Sequence, residues 1–355
     1  MSKKTLLVAV LILVIVAIIA AAVYKNQSNG VAKKENENNL EKIKVQAGWI
    51  LNGEFANVCS AIVNGYYKEE GLDVELIPGG PSGGSFVIAT NAIAQNNDLD
   101  IAIDGDLVPL LRGRTKDDNE QLKVKAFASF WNDIPYGFIV REDSGLNSLK
   151  DLATKRKADG SKYKIGVTAD SVIQQAIAKY ADVPVENLDI VIVGYDATPF
   201  LAGQVDALAA YWTTQAYEVE KAGIPYKFLS VSEMPGFSQP SQIALATEEK
   251  LRTKHDSLVK WLRATIKGSK FVIENPEEAS KQILDPRCGG PSFDANQEEW
   301  LIKKSLPLFD KDKIGWIDKD KVTGYSNAYF NLGQIPRPAN ADELVDYSIL
   351  NEIYK

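Results

Sequence analysis

The chain has 355 residues, 45% hydrophobic and 25% charged, with 40 basic and 47 acidic side chains and a net charge of −7. That balance excludes a general nucleic-acid binder, which needs a basic footprint to displace counterions. Two cysteines exclude a disulfide-built scaffold or a four-thiolate zinc site, and one histidine, His255, removes most histidine-based metal and triad chemistry.

In chain order, Lys3 and Lys4 precede an uncharged apolar run over residues 5–24. As a helix it spans about 30 Å, the thickness of a bilayer core. A basic start before such a run reads as a secretory signal or a membrane anchor. Ala20 and Ala22 offer a small-residue cleavage site, and no cysteine comes closely enough after it for a lipoprotein anchor. Cleaved or retained, the run of residues 1–24 places the rest of the chain outside the cytoplasm. Residues 25–42 are rich in Asn, Lys, Glu and Gln and read as a flexible linker.

From residue 43 the pattern alternates. Residues 43–48 predict a strand. Residues 55–67 predict a helix, with Phe55, Val58, Cys59, Ile62, Val63 and Tyr66 at helical spacing, ended by Gly71. Next come a strand over 73–77, a helix over 85–95 and strands over 99–103, 124–130 and 137–140. Strands separated by helices imply βαβ units and largely parallel sheets covered on both faces. A second block begins near residue 143. Ser148 with Asp151 three residues on reads as a helix start. Strands are expected over 164–167, 188–193, 206–211 and 226–229, and helices over 171–180, 199–202 and 214–222. The tail is helical: 255–274, a helix opened by Asn275 and Pro276, then 296–308, 319–331 and 341–352. The expected organisation is two lobes, residues 43–139 with 245–355 and residues 140–244, with 137–141 and 242–247 as crossing strands. Ligands of open α/β sheets lie beyond the carboxyl ends of the strands, which here means an interlobe cleft.

Several motifs resemble a known family. Trp49-Ile50-Leu51-Asn52 is similar to its opening Trp-x-x-Asn. The stretch from Gly65 to Val74, GYYKEEGLDV, matches its central signature closely. Ser148-Leu149-Lys150-Asp151-Leu152, Lys164-Ile165-Gly166-Val167, Gly203-Gln204-Val205-Asp206-Ala207 and Asn275-Pro276-Glu277-Glu278-Ala279 match later landmarks. The family comprises extracellular solute-binding proteins of ABC importers for thiamine pyrimidine precursors, sulfonates, taurine and nitrate, together with the fungal thiamine-pyrimidine synthase. The resemblance covers residues 43–285. It implies an α/β, two-lobed type II periplasmic-binding-protein fold that closes on its ligand, preceded by the N-terminal hydrophobic helix, and a permease partner in the membrane. Members that bind thiamine precursors often carry Pro before that Asn and His after it, where this chain has Leu51 and Glu54-Phe55.

The strand ends supply the candidate ligand contacts. Trp49, Asn52, Glu54 and Phe55 lie after the first strand: Trp49 offers a stacking face, Asn52 and Glu54 polar partners, with core packing and turn capping as the alternative roles. Gly83, Gly84 and Ser85 belong to a glycine-rich loop whose backbone amides can approach a ligand, or which is an ordinary turn; it lacks the Lys-Ser/Thr of a P-loop. Asp104 and Asp106 offer acceptors for amino or ring N–H groups, or cap a helix. Trp131 and Tyr136 lie just before the proposed hinge, for stacking or for hinge packing. Thr168, Asp170 and Ser171 begin a helix. Tyr195 and Asp196 end one strand, and Tyr211, Trp212 and Thr213 end another. Cys59 reads as buried and Cys288 as a loop residue; a disulfide between them is open, since spacing does not place them within bonding range. His255 reads as a solvated residue.

The expected function is an extracytoplasmic solute-binding protein, monomeric and without catalytic residues, metal or cofactor. It delivers a small molecule to an ABC permease, tethered by its N-terminal helix or secreted after cleavage. Abundant rings and carboxylates near the strand ends, with arginine sparse there, favour an aromatic N-heterocycle such as a thiamine pyrimidine precursor or a flavin. The alternative ligand is an organic anion: an alkylsulfonate, taurine or nitrate. The remaining alternatives are an enzyme of the synthase type and a tethered sensor ectodomain.

Overall fold

The computed structural model describes residues 40–82, 85–169 and 172–355. The apolar run 1–24, residues 25–39 of the linker, and Gly83, Gly84, Asp170 and Ser171 lie outside the described residues.

The strands are β1 (Glu41–Ala47), β2 (Leu72–Ile77), β3 (Gly80–Ser82), β4 (Ser85–Val87), β5 (Ile101–Asp104), β6 (Val124–Trp131), β7 (Tyr136–Arg141), β8 (Lys164–Val167), β9 (Asp189–Ile192), β10 (Ala207–Tyr211), β11 (Tyr226–Ser230) and β12 (Ser241–Thr247). They form two five-stranded sheets, ordered β2-β1-β5-β12-β6 and β11-β7-β10-β8-β9, and a hairpin of β3 with β4. β1 begins at Glu41, so the last two residues of the expected linker are paired strand.

Largely parallel sheets were expected, and the sheets are mixed. In the first, β2, β1 and β5 are parallel and β12 runs against both its neighbours. In the second, β9, β8 and β10 are parallel and β7 runs against both its neighbours. The reason is connectivity. The chain leaves β6 at the carboxyl edge of the first sheet and enters the second at its facing edge, so β7 must run the opposite way. β12 does the same on the return. The crossings lie between Trp131 and Tyr136 and between Ser230 and Ser241, so the boundaries expected at 139/140 and 244/245 fall inside β7 and β12. Asp133 ties the two crossings together. Its Oδ1 accepts from the Ser232 hydroxyl at 2.8 Å and from the Gln239 N–H at 3.3 Å.

Local differences from the expected elements have local causes. The helix expected over 55–67 divides into a 3-10 turn at Gly53–Phe55 and helices Ala56–Val63 and Tyr66–Glu69. Gly65, at φ +77°, breaks it in a conformation that disfavours other residues. The helix expected from Ser85 starts at Ala89; Ser85–Val87 belongs instead to the hairpin. The helix Val108–Arg114, with Pro109 in its first turn, was not foreseen. The helix expected over 341–352 is two short helices, Ala341–Leu344 and Ser348–Ile353. Between them Val345 bridges Ala126 of β6, and the Asp346 N–H donates to the Ala126 carbonyl. This contact and the Ser129–Gly315 bridge cover the exposed edge of β6.

The first sheet is backed by the long helix His255–Glu274. Its Trp261 is fully buried, stacked on Tyr67 and met edge-on by Phe127 and Phe130. Cys59 and Cys288 are both buried free thiols. His255 is half-buried and pairs with Glu352 at 3.1 Å.

Candidate functional site

The carboxyl ends of the parallel strands in the two sheets face one another. After β1 the chain turns through Trp49 to Asn52, whose Oδ1 accepts from the Glu54 N–H at 3.1 Å and so caps the 3-10 turn. That turn carries Glu54 into the gap, while Phe55, 1% exposed, anchors it in the core. Beneath it lies Glu298, from the helix Ala295–Ser305, whose Oε2 accepts from the Gly53 N–H at 2.5 Å. Two carboxyls thus share one poorly solvated corner. Burial, reinforced by the charge of Glu298, pushes Glu54 up to about 7, with the Thr213 hydroxyl pulling the other way. Burial also pushes Glu298 up to about 7, against the pull of the Gly53 N–H.

The opposite wall is the end of β10. Gln215 fixes its shape: its Oε1 accepts from the Tyr211 N–H at 2.9 Å and its Nε2 donates to the Tyr195 carbonyl at 2.8 Å, which locks the loop after β9 to β10. The Trp212 N–H donates to the Pro135 carbonyl at 2.9 Å, and the Trp212 ring packs on Phe228 at 5.5 Å. Two polar atoms of this segment, Trp212 Nε1 and Thr213 Oγ1, are buried without a partner, as are six others elsewhere among the described residues. The Thr213 hydroxyl lies near enough to the Glu54 carboxyl to favour its ionised form, yet it falls short of hydrogen-bond geometry.

Rings line the space between. Trp49 meets Tyr195 edge-on across the gap, with centroids 5.7 Å apart. Deeper in, Tyr136 and Tyr211 lie 5.4 Å apart. The Tyr211 hydroxyl is pushed far above its ordinary range by burial and then by the charges of Asp106 and Glu54, both on the first half. Tyr325 and Tyr329, 4.8 Å apart on the helix Lys319–Asn331, complete this end. Asp106 is held at about 6, raised by burial and by Asp104 while the Val108 N–H and Arg112 pull it down.

Other expected contacts are placed differently. Asp104 is spent within the first half: Oδ2 accepts from the Thr90 N–H at 2.8 Å and from the Thr90 hydroxyl, and Oδ1 from the Ala89 N–H at 3.2 Å. It caps the helix Ala89–Gln95 rather than presenting a free acceptor, as a buried carboxylate requires. Asp106 also caps, accepting from the Val108 N–H at 2.8 Å. Trp131 is buried on β6 at 1% exposure. Thr168 is half-buried at the end of β8, and Ser85 opens β4.

Glu298, Tyr325 and Tyr329 were not among the expected residues. Glu298 had a signal. It shares a helix face with Leu301, Ile302 and Ser305, all buried. A glutamate on a buried stripe must find a donor or a solvent-poor partner.

Among the described residues no group of His, Cys, Asp and Glu is arranged to hold a metal ion. The profile of a family described as "NMT1/THI5 like" matches residues 52–279. A formylaminopyrimidine-binding protein of Halalkalibacterium halodurans is 25% identical over 255 residues, 69% of this chain and 70% of that one. A 4-amino-5-hydroxymethyl-2-methylpyrimidine phosphate synthase of Legionella pneumophila is 21% identical over 291 residues, 80% of this chain and 85% of that one. Among solved structures, the periplasmic nitrate-binding protein NrtA of Synechocystis PCC 6803 superposes with a TM-score of 0.64 at 12% identity, covering 88% of each chain. The periplasmic aliphatic sulphonate binding protein SsuA of Escherichia coli superposes with a TM-score of 0.62 at 11% identity, covering 86% of this chain and 92% of that one. These likenesses fix the fold as that of the type II periplasmic binding proteins, two α/β halves around a cleft.

Proposed function

This chain belongs to the NMT1/THI5-like family, and from that premise we propose that it is an extracytoplasmic solute-binding protein. It captures a small aromatic N-heterocycle between its halves and hands it to an ABC permease. The observation that carries this reading is the mismatch of polar groups across the cleft. Trp212 Nε1 and Thr213 Oγ1 are buried without partners on one wall, and the Glu54 and Glu298 carboxyls are crowded on the other. Buried donors left unpaired are costly, and so are two carboxylates in a dry corner. One ligand edge relieves both. A ring nitrogen accepts from Trp212 or Thr213, and an adjacent amino group donates to Glu54. Tyr136, Tyr211 and Trp49 then offer faces to the ring.

An aminopyrimidine has such an edge, which is why the formylaminopyrimidine-binding relative is the most informative one for ligand class. An alkylsulfonate, taurine or nitrate brings acceptors or negative charge to a wall already carrying two acids, so the anion reading is weaker. The enclosed ligand bridges the halves and favours the closed form. No bond is made or broken. The two thiols are buried, and His255 is engaged with Glu352. The apolar run 1–24 serves as export signal or tether.

The direct test is the mass spectrum of small molecules released when the purified chain is denatured. A stoichiometric aminopyrimidine or related heterocycle is expected. Release of an alkylsulfonate instead contradicts the ligand class.

A further inference from the structure

The chain contains two cysteines, and the fold brings them together from positions far apart in sequence. Cys59 lies on the helix Ala56–Val63 and is fully buried; Cys288 lies in the turn after the helix Pro276–Ile283 and is 7% exposed. The segment carrying Cys288 packs beside the end of the helix carrying Cys59, and Cys288 is close enough to Cys59 to bear on its ionisation. The turn is held rigidly against the first helix. The Cys288 N–H donates to the Asp285 carbonyl at 2.8 Å, and the Gly290 N–H to the Ile283 carbonyl at 3.0 Å. Arg287 makes a two-pronged pair with Asp285. Gln282 Nε2 donates to Asn64 Oδ1 at 2.9 Å. Gly289 lies so close to Leu51 that a Cβ there would stand 2.4 Å from the Leu51 carbonyl oxygen.

We propose that Cys59 and Cys288 are a covalent staple, oxidised to one intrachain disulfide as the exported chain folds. With only two cysteines a single intrachain pairing exists, so no mispaired monomer competes. The bond joins the helix just after Glu54 to the turn that precedes the helix carrying Glu298, and therefore fixes the two acids of the cleft wall relative to each other.

The chemistry is thiol–disulfide exchange with a disulfide donor, a protein oxidoreductase at the cell surface or glutathione disulfide in vitro. One cysteine thiolate attacks the donor and forms a mixed disulfide. The second displaces the donor's remaining thiol. The pair loses two electrons and two protons, and the donor disulfide gains them as two thiols. The reactive form is the thiolate. Burial, with the neighbouring thiol and nearby acids, raises the Cys59 thiol well above its ordinary value. Exchange is therefore slow in the folded chain, so the bond forms before the helix packs and resists reduction afterwards. The setting rests on the proposed export; the test does not, because it involves no ligand.

The chain is refolded in a mixture of reduced and oxidised glutathione, denatured without reductant, and its free thiols are counted, with peptide mass mapping alongside. Loss of both thiols and a linked peptide containing Cys59 and Cys288 are expected. Reduction should lower the thermal midpoint by at least about 5 °C, because the link closes a loop of about 230 residues. Two free thiols, or glutathione carried on one cysteine, overturn the proposal even if ligand binding is intact. A solute titration without heat, with the linked peptide present, would count against the solute-binding reading and leave the staple standing.

Discussion

Glu54 and Glu220 both reach across the gap between the two sheets, from opposite sides of it, and their surroundings drive their carboxyls in opposite directions. Glu54 leaves the first half and meets Thr213 and Tyr211, with Glu298 behind it and no cation among the groups that set its pKa. It is pushed up to about 7. Glu220 leaves the helix Gln215–Lys221 of the second half and meets Trp300 Nε1 at 2.8 Å and the Lys304 ammonium at 2.7 Å, both on the first half. Burial alone would raise it, but Lys304, the Tyr226 hydroxyl and Trp300 outweigh that and hold it below the ordinary range. The Glu220 contact is complete as it stands. The Glu54 contact is not, and an incomplete, dry contact is where a ligand gains most by arriving.

The pH signatures have opposite sign. For Glu54 and Glu298 the folded value is raised above the ordinary 4.5. They cost nothing below 4.5, and the folded state is destabilised as pH rises from there through about 7. For Glu220 the folded value is lowered, so its contribution is full above the ordinary value and is lost as pH falls through the lowered one.

Breaking the incomplete side should have the larger effect. Replacing Glu54 with Gln is expected to weaken aminopyrimidine binding about 10- to 100-fold at pH 8, since it removes a charge-assisted bond. The same variant should raise the thermal midpoint of the ligand-free protein at that pH, because it removes the repulsion with Glu298. Titration calorimetry and thermal unfolding check both halves. Replacing Thr213 with Val is expected to weaken binding by about fivefold. It should leave the ligand-free midpoint unchanged or higher, because the lost hydroxyl had no partner. A fall of several degrees would mean that the hydroxyl is bonded within the protein. Replacing Glu220 with Gln should change affinity less than about threefold and stability by under about 1 kcal/mol, as for an exposed pair. If that variant weakens binding as much as the Glu54 variant does, the contrast between the two contacts is lost.

Much of this arrangement was legible before the fold was known. Strand ends carry ligands in open α/β sheets, so Trp49, Tyr195, Tyr211 and Trp212 could be singled out by position, and the structure sets Trp49 against Tyr195 across the gap. Glu54 was accessible in the same way. What escaped was set by tertiary approach. Glu298 comes from a tail helix more than two hundred residues away in sequence, and only the fold shows that its partner is the Gly53 N–H. Asp104 sits at a strand end like the others, but a helix start packed against it claims both its oxygens. The direction of β7 and β12 was missed for a similar reason, since apolar runs do not reveal which edge of a sheet the chain enters from. The strands expected to cross, 137–141 and 242–247, lie instead each within one sheet, because the chain passes between the sheets in the loops that precede them.

The most direct measurement is calorimetry of the exported chain with 4-amino-5-hydroxymethyl-2-methylpyrimidine between pH 6 and pH 8, in buffers of different ionisation heat. A ligand that donates to ionised Glu54 lowers that carboxyl's pKa on binding. Affinity should therefore rise with pH, protons should be released near pH 7, and both trends should be absent in the Glu54→Gln variant. No saturable heat, or an affinity that falls as pH rises while an alkylsulfonate binds, contradicts a cleft built to hold a donor-bearing heterocycle.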